Sequence, residues 1–337
     1  MRVSYRSLRT SIIRNAAVTN TPVLGEFELT GRCNLKCKMC YVVDQTATDL
    51  PTDTWKKLFK QATDAGLLYA LLTGGELFLR KDFSELYNYL YDLGVRITLF
   101  SNGIHIKDEI IETLKKRPPE QITITVYGAS DATYETVTSD PRGFTKLNIS
   151  IEKLKNANIN FILRTIPLKP IYDDLENIIA FVEKQNTQLY YTQYIGPTRD
   201  GAFSHKAMRL EPKDLIKFSK TLEEAFGFES RKTFSTSTKQ ATCAALKSAY
   251  FINYKGMMQP CAMAYKPTKS ILEDTFINTF KSLSKTYQQI EKYDGCYSCD
   301  LKSDCIQCYA RRLLEKEVNH CPPYLKQLAI YKRQVKS

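Results

Sequence analysis

No apolar run in the 337-residue sequence reaches the about 18–20 residues of a membrane span. The basic N-terminus, MRVSYRSLRTSIIRNAAV, has no apolar core and does not read as a secretory signal. With no visible route to an oxidising compartment, the expectation is a cytoplasmic protein with no membrane partner. In that setting ten cysteines do not read as a disulfide framework. They favour metal or cluster binding. A dense basic run is also missing. Lys and Arg outnumber Asp and Glu by 48 to 36, a formal charge of +12, but beyond short pairs such as Lys56-Lys57 and Arg311-Arg312 they are scattered. A basic solvated surface follows, one that suits an acidic peptide, and no nucleic-acid partner is expected. There is no internal repeat and no low-complexity segment. Hydrophobic residues make up 43%, enough to bury a core and to argue against wholesale disorder.

What is present is an alternation. From residue 24 to 195, strand-like and helix-like segments take turns. GEFELT (25–30), YALLT (69–73), VRITLFSNG (95–103), QITITVYG (121–128), INFILRTIPL (159–168) and LYYTQYI (189–195) read as strands. Between them, PTDTWKKLFKQATDAG (51–66) places Trp55, Leu58, Phe59 and Ala62 at helical spacing, and further helices are expected at 83–94, 107–116, 131–138, 145–157 and 173–185. Six such units imply a parallel sheet with right-handed crossovers. About 170 residues is short for a closed eight-fold barrel, so the expected fold class is α/β, a partial (β/α)6 barrel of TIM type. Its ligand would sit at the C-terminal strand ends. A turn-rich stretch, a helix at 213–226 and a hairpin over 248–260, turning at Lys255-Gly256, follow. Little regular pattern is expected in the last 95 or so residues. The resulting division is an N-terminal lead-in (1–23), the partial barrel (24–200), a helical linker (201–240) and a small, loop-rich, Cys-rich domain (241–337).

TGRCNLKCKMCY (30–41) puts Cys33, Cys37 and Cys40 into eight positions as C-x3-C-x2-C. A structural zinc wants four ligands, and no fourth Cys or His is nearby. Three thiolates on a [4Fe–4S] cluster leave one iron open. This loop resembles that of the radical S-adenosylmethionine (SAM) superfamily, and other motifs of that family occur in order. Tyr41 is the aromatic after the third cysteine, near the adenine. TGGE brings Gly74, Gly75 and Glu76 to the SAM amino group. SNG brings Ser101 and Asn102 to the ribose. The resemblance also makes Thr125 a candidate for the ribose and Arg164 one for the SAM carboxylate, with a surface arginine as its alternative. The amino and carboxylate groups of SAM would chelate the open iron, and electron transfer would yield a 5′-deoxyadenosyl radical. A three-Cys zinc site completed from afar is the structural alternative.

The other seven cysteines resemble the SPASM extension, which carries two auxiliary [4Fe–4S] clusters. Cys243 and Cys261 flank Gly256 as C-x12-G-x4-C. Cys296, Cys299, Cys305 and Cys308 form C-x2-C-x5-C-x2-C, and Cys321 follows. The departure is two residues, not three, between Cys305 and Cys308. The resemblance assigns Cys243, Cys261 and Cys308 to auxiliary cluster I, with an iron open or completed by water, a substrate group or His320. It assigns Cys296, Cys299, Cys305 and Cys321 to cluster II. Two zinc knuckles are the bland alternative.

The family implies a radical SAM oxidoreductase that matures peptides, here by a thioether or carbon–carbon crosslink in a ribosomally made peptide. Formylglycine formation of the sulfatase type, peptide epimerisation and oxidation of a tetrapyrrole side chain are its rivals, and a non-catalytic metal scaffold is a remoter one. Expected partners are a peptide with an acidic leader, a flavodoxin or ferredoxin donor, and a separate leader-recognition protein, since the 24 or so residues before the first strand are too few for a recognition domain. No catalytic acid or base is named by the sequence. Tyr127, Tyr191 and Tyr194 are candidates to line the barrel mouth.

Overall fold

The computed structural model describes residues 4–42, 48–227, 243–290, 293–317 and 319–336. Six strands in chain order, β1 (Leu24–Glu28), β2 (Tyr69–Thr73), β3 (Arg96–Ser101), β4 (Gln121–Thr125), β5 (Phe161–Thr165) and β6 (Leu189–Tyr191), each pair in parallel with the next. The expected six-unit partial barrel is therefore what forms. The N-terminal lead-in is a helix, α1 (Tyr5–Thr19), capped by Ser4. Its Arg9 lies 4.7 Å from the Tyr69 ring and bonds Glu120, which fastens it to β2 and to the start of β4. Helices α2 (Thr52–Asp64), α3 (Phe83–Asp92), α4 (Asp108–Lys116), α5 (Asp131–Thr138), α6 (Gly143–Asn156), α7 (Lys169–Asp173) and α8 (Leu175–Lys184) cover the outer face.

Alternation on β1 separates the two faces. Phe27 is fully buried against Trp55 and Phe59 of α2. Glu26 and Glu28 point the other way, to the inner face. In parallel pairing, residues in register share a face, so Thr98, Phe100, Thr123, Thr125 and Arg164 line the same interior.

The expected hairpin forms from β7 (Ala249–Ile252) and β8 (Met257–Gln259). Gly256 takes φ +76° at its turn, a conformation open to glycine without cost. The hairpin does not stand apart: β7 pairs in parallel with β1, Glu26 opposite Phe251, and β9 (Lys269–Ser270) completes a single nine-stranded sheet of order β6-β5-β4-β3-β2-β1-β7-β8-β9. Nothing local in the sequence couples residue 24 to residue 249.

The expectation of little regular pattern near the C-terminus needs correcting. After α9 (Pro212–Phe226) come α10 (Phe276–Ile290), α11 (Asp294–Tyr297), α12 (Tyr309–Leu314) and α13 (Pro323–Lys336). Phe276, Phe280, Leu283 and Tyr287 fall on one face of α10 and are buried. Phe276 and Phe280 pack edge-on against Tyr250 of β7. Part of the expected linker, 228–240, lies outside the described residues.

Candidate active site

The cysteine loop leaves β1 at Leu29 and is gripped from three sides. Gly75 N and Glu76 N donate to Thr30 O and Arg32 O, both at 2.8 Å, so the end of β2 runs against the loop's backbone. Lys36 N and Lys38 N donate to the last carbonyls of α5, at Thr138 and Val137. Arg80, 5% exposed, donates to Leu29 O at 2.8 Å and Leu50 O at 3.2 Å.

Each motif read from the sequence falls at this end of the sheet. Glu76 is 1% exposed and accepts from Phe78 N at 3.2 Å, Ser101 Oγ at 3.0 Å and Asn102 N at 2.9 Å. It thereby ties the end of β2 to the end of β3. Burial raises its carboxyl to about 7. Asn102 turns the other way: its Nδ2 donates to Asn34 Oδ1 at 2.9 Å and lies 3.8 Å from Cys33 Sγ. Thr125 and Arg164 are in register on β4 and β5. Arg164 faces the interior, donates to Thr192 Oγ1 and lies 5.3 Å from the Phe100 ring. Tyr41 stands under Arg199, whose charge centre is 4.5 Å from its ring.

Of the three candidate tyrosines, Tyr127 is the one at the cysteine loop, since it hydrogen-bonds Cys37 and its hydroxyl is pushed up by burial and by the three thiols. Tyr191 packs on Phe218 of α9 and bonds Glu223. Tyr194, 4% exposed, bonds Glu315 in a small satellite core.

Three acidic and basic groups of the interior went unread in the sequence. Glu26 and Glu28 flank the buried Phe27, and their period-two spacing was the signal available. Arg199 sits on an irregular loop and offered none. Burial raises the Glu26 carboxyl to about 7 against the pull of Arg164 and Arg199.

None of the ten cysteines is in a disulfide. Their mutual influence sorts them. Burial, with Cys40 and the Glu76 charge adding, pushes the Cys33 thiol to about 11, and burial with Cys40 and Cys33 pushes Cys37 higher. Burial and then Cys308 push Cys261 to about 12, with a smaller push from Glu26. Burial, Cys321 and Cys296 push Cys305 to about 11, while Cys321 is raised by burial, Cys296 and Cys299. The groups are thus Cys33/37/40, Cys261/308 and Cys296/299/305/321. Cys243 is exposed and borders residues outside the description.

Half-buried thiols that raise one another suit a cationic centre that would hold them as thiolates. Three thiols in one loop at the strand ends are soft donors of the kind a [4Fe–4S] cluster takes, with one iron left open, and the donor set fits such a cluster.

Residues 27–182 match the radical SAM superfamily. That stretch holds the cysteine loop and strands β2 to β5. The chain is similar to the AdoMet-dependent heme synthase of Methanosarcina barkeri, with 24% identity over 325 residues that take in 88% of this chain and 93% of that protein. It is similar to the sporulation killing factor maturation protein SkfB of Bacillus subtilis, 24% identical over 268 residues, 75% of this chain and 63% of that one. In fold it is similar to Streptococcus suis SuiB bound to precursor peptide SuiA, with a TM-score of 0.72 at 15% identity, covering 97% of this chain and 82% of that one. The radical SAM match implies a [4Fe–4S] cluster and SAM, and the seven C-terminal cysteines keep a spacing that resembles the SPASM pattern of auxiliary clusters. No helix among the described residues is long and apolar enough to cross a membrane.

Proposed function

We propose that the chain is a radical SAM enzyme that removes a hydrogen atom from a peptide and installs a thioether or carbon–carbon crosslink. The observation that carries the reading is the place of Cys261. It follows β8, and the carbonyl of the next residue, Ala262, accepts from Arg199, which is paired with Glu28 on the inner face of β1. A thiol set bordering the chamber is where an electron released by bond formation has to be taken up. SAM and its cluster, when bound, supply a radical able to take hydrogen from an unactivated C–H.

Cys33, Cys37 and Cys40 would hold that cluster. Gly74, Gly75, Glu76, Ser101, Asn102, Tyr41, Thr125 and Arg164 would hold SAM, the last two from the chamber wall. Cys243, Cys261 and Cys308 would hold auxiliary cluster I, and Cys296, Cys299, Cys305 and Cys321 cluster II. The β/α walls exclude water from the radical, and the formal charge of +12 suits an acidic leader. A flavodoxin or ferredoxin donor and a separate leader-recognition protein belong to the same reading. A relative named as a maturation protein and a neighbour solved with its precursor peptide support it.

A second reading, oxidation of a tetrapyrrole side chain, is favoured by the heme-synthase relative, which aligns over 93% of its own length. The discriminating experiment supplies reconstituted enzyme, SAM and dithionite with two probes. One is a panel of synthetic Cys-containing peptides; the other is an iron porphyrin with propionate side chains. A peptide lighter by two hydrogens, formed in step with 5′-deoxyadenosine, is the expected result. Turnover of the porphyrin with every peptide unchanged would replace this reading by the second.

A further inference from the structure

Arg199 follows β6 on an irregular loop and touches three distant parts of the chain. Its guanidinium meets the carboxylate of Glu28 two-handed, Nη1 to Oε2 at 3.1 Å and Nη2 to Oε1 at 3.2 Å. Glu28 is fully buried on the inner face of β1, and the Arg199 side chain is 13% exposed. Nε donates to the carbonyl oxygen of Ala262 at 2.8 Å. The charge centre lies 4.5 Å from the Tyr41 ring and 5.1 Å from that of Phe251.

The partners are informative by their neighbours. Tyr41 directly follows Cys40, and Ala262 directly follows Cys261. One side chain therefore holds the residue beside a thiol in each of two cysteine groups, while Glu28 fixes it from the strand that leads into the first. A planar fork with five donors can do this. A lysine ammonium cannot fork onto Glu28, reach the Ala262 carbonyl and stack on Tyr41 at once.

We propose that Arg199 is a positioning residue that braces the Cys33/37/40 loop against the Cys261 loop and sets Tyr41 in place for SAM. The second half of that statement rests on the placement of Tyr41 beside the adenine, and the first on the assignment of Cys261 to an auxiliary cluster.

The test uses the reconstituted full-length enzyme and SAM, with no second substrate. Iron content, the electron paramagnetic resonance (EPR) spectra of the reduced clusters and the dissociation constant of SAM are measured for wild type, R199K, R199M and E28Q. In R199M, SAM binding is expected to weaken about tenfold, equivalent to about 1.4 kcal/mol, within reach of a lost desolvated cation–π contact. The EPR signal lost in a C261A variant is expected to shift in R199M, and the signal lost in C296A to stay. R199K, which keeps the charge without the fork, is expected to rescue SAM binding only partly. E28Q, which loosens the anchor but leaves the stack, is expected to show a smaller change of the same kind and covers the case in which R199M does not fold. Wild-type SAM affinity together with wild-type spectra in R199K and E28Q would overturn the proposal. A wild-type enzyme with about four irons in place of the about twelve of three four-iron clusters would instead remove the auxiliary assignment.

Discussion

Replacing Gly75 with alanine probes the closest backbone approach in the site. A Cβ at that position would lie 2.3 Å from Arg32 O, 2.6 Å from Arg32 C and 2.7 Å from Gly31 O. All three are main-chain atoms immediately before Cys33, so no side chain can swing aside. The same junction carries the Gly75-to-Thr30 and Glu76-to-Arg32 hydrogen bonds. Forcing a methyl group into packed structure costs about 1–3 kcal/mol. Two weakened hydrogen bonds at about 0.5–1.5 kcal/mol each add about 1–3 more. Allowing for relaxation of the loop, a loss of about 2–4 kcal/mol is expected, with fewer irons per chain and weaker SAM binding. The control is Gly94→Ala. Gly94 has φ +80° and an added Cβ there meets nothing within 4 Å, so its cost is backbone conformation alone, about 1–2 kcal/mol. Denaturant unfolding and iron analysis of both variants separate the two causes. Equal stability losses, with G75A retaining wild-type iron, would refute the argument that Gly75 is required by the cysteine loop.

Three further outcomes are expected. The folded-state value of Glu26, raised to about 7, means that folding favours its protonated form. Its contribution is fully present below the unfolded value near 4.5 and is lost as pH rises through about 7. Thermal unfolding across pH should therefore show E26Q level with wild type at the acid end and more stable above neutrality, on the order of 1–3 kcal/mol; a difference that does not vary with pH would contradict it. Alanine at Cys33, Cys37 and Cys40 together should abolish 5′-deoxyadenosine formation, and retained cleavage would sink the core assignment. Alanine at Cys261 or Cys308 should lower iron from about twelve to about eight per chain while SAM cleavage continues; unchanged iron would detach both residues from a cluster.

The barrel was legible because each of its pieces carries its own signal. Trp55, Leu58, Phe59 and Ala62 repeat at helical spacing and all four are buried, and the strands alternate or run apolar between turn residues. The site motifs were legible as short strings at strand ends. What the strings did not disclose is why they have their form. Gly75 is required by the approach of the Arg32 backbone, a contact with a loop more than forty residues earlier. Glu76 accepts from three donors of its own scaffold, so it shapes the ends of β2 and β3 whatever else it binds. Arg164 had two readings in the sequence, and pairing in register with Thr125 puts it on the inner face. The helical face of α10 is written plainly as Phe276, Phe280, Leu283 and Tyr287, in a stretch of sequence whose spacing is otherwise set by cysteines.

The pairing of β7 with β1 changes what kind of object the auxiliary region is. Had the C-terminal cysteines formed a domain docked by side chains, the separation between Cys261 and the Cys33/37/40 loop would depend on that contact surface. Here a ladder of main-chain hydrogen bonds carries the hairpin on the barrel's own first strand, with Leu24 opposite Ala249 through Phe27 opposite Ile252. Cys261 comes two residues after the end of β8. Cys33 comes five after the end of β1. Both groups of thiols are thus short tethers from one rigid sheet, and Arg199 braces their loops where the tethers end. An electron acceptor held at Cys261, as proposed, would then be fixed relative to the Cys33/37/40 loop by β-pairing, and loosening it would require breaking strand pairs in the centre of the sheet.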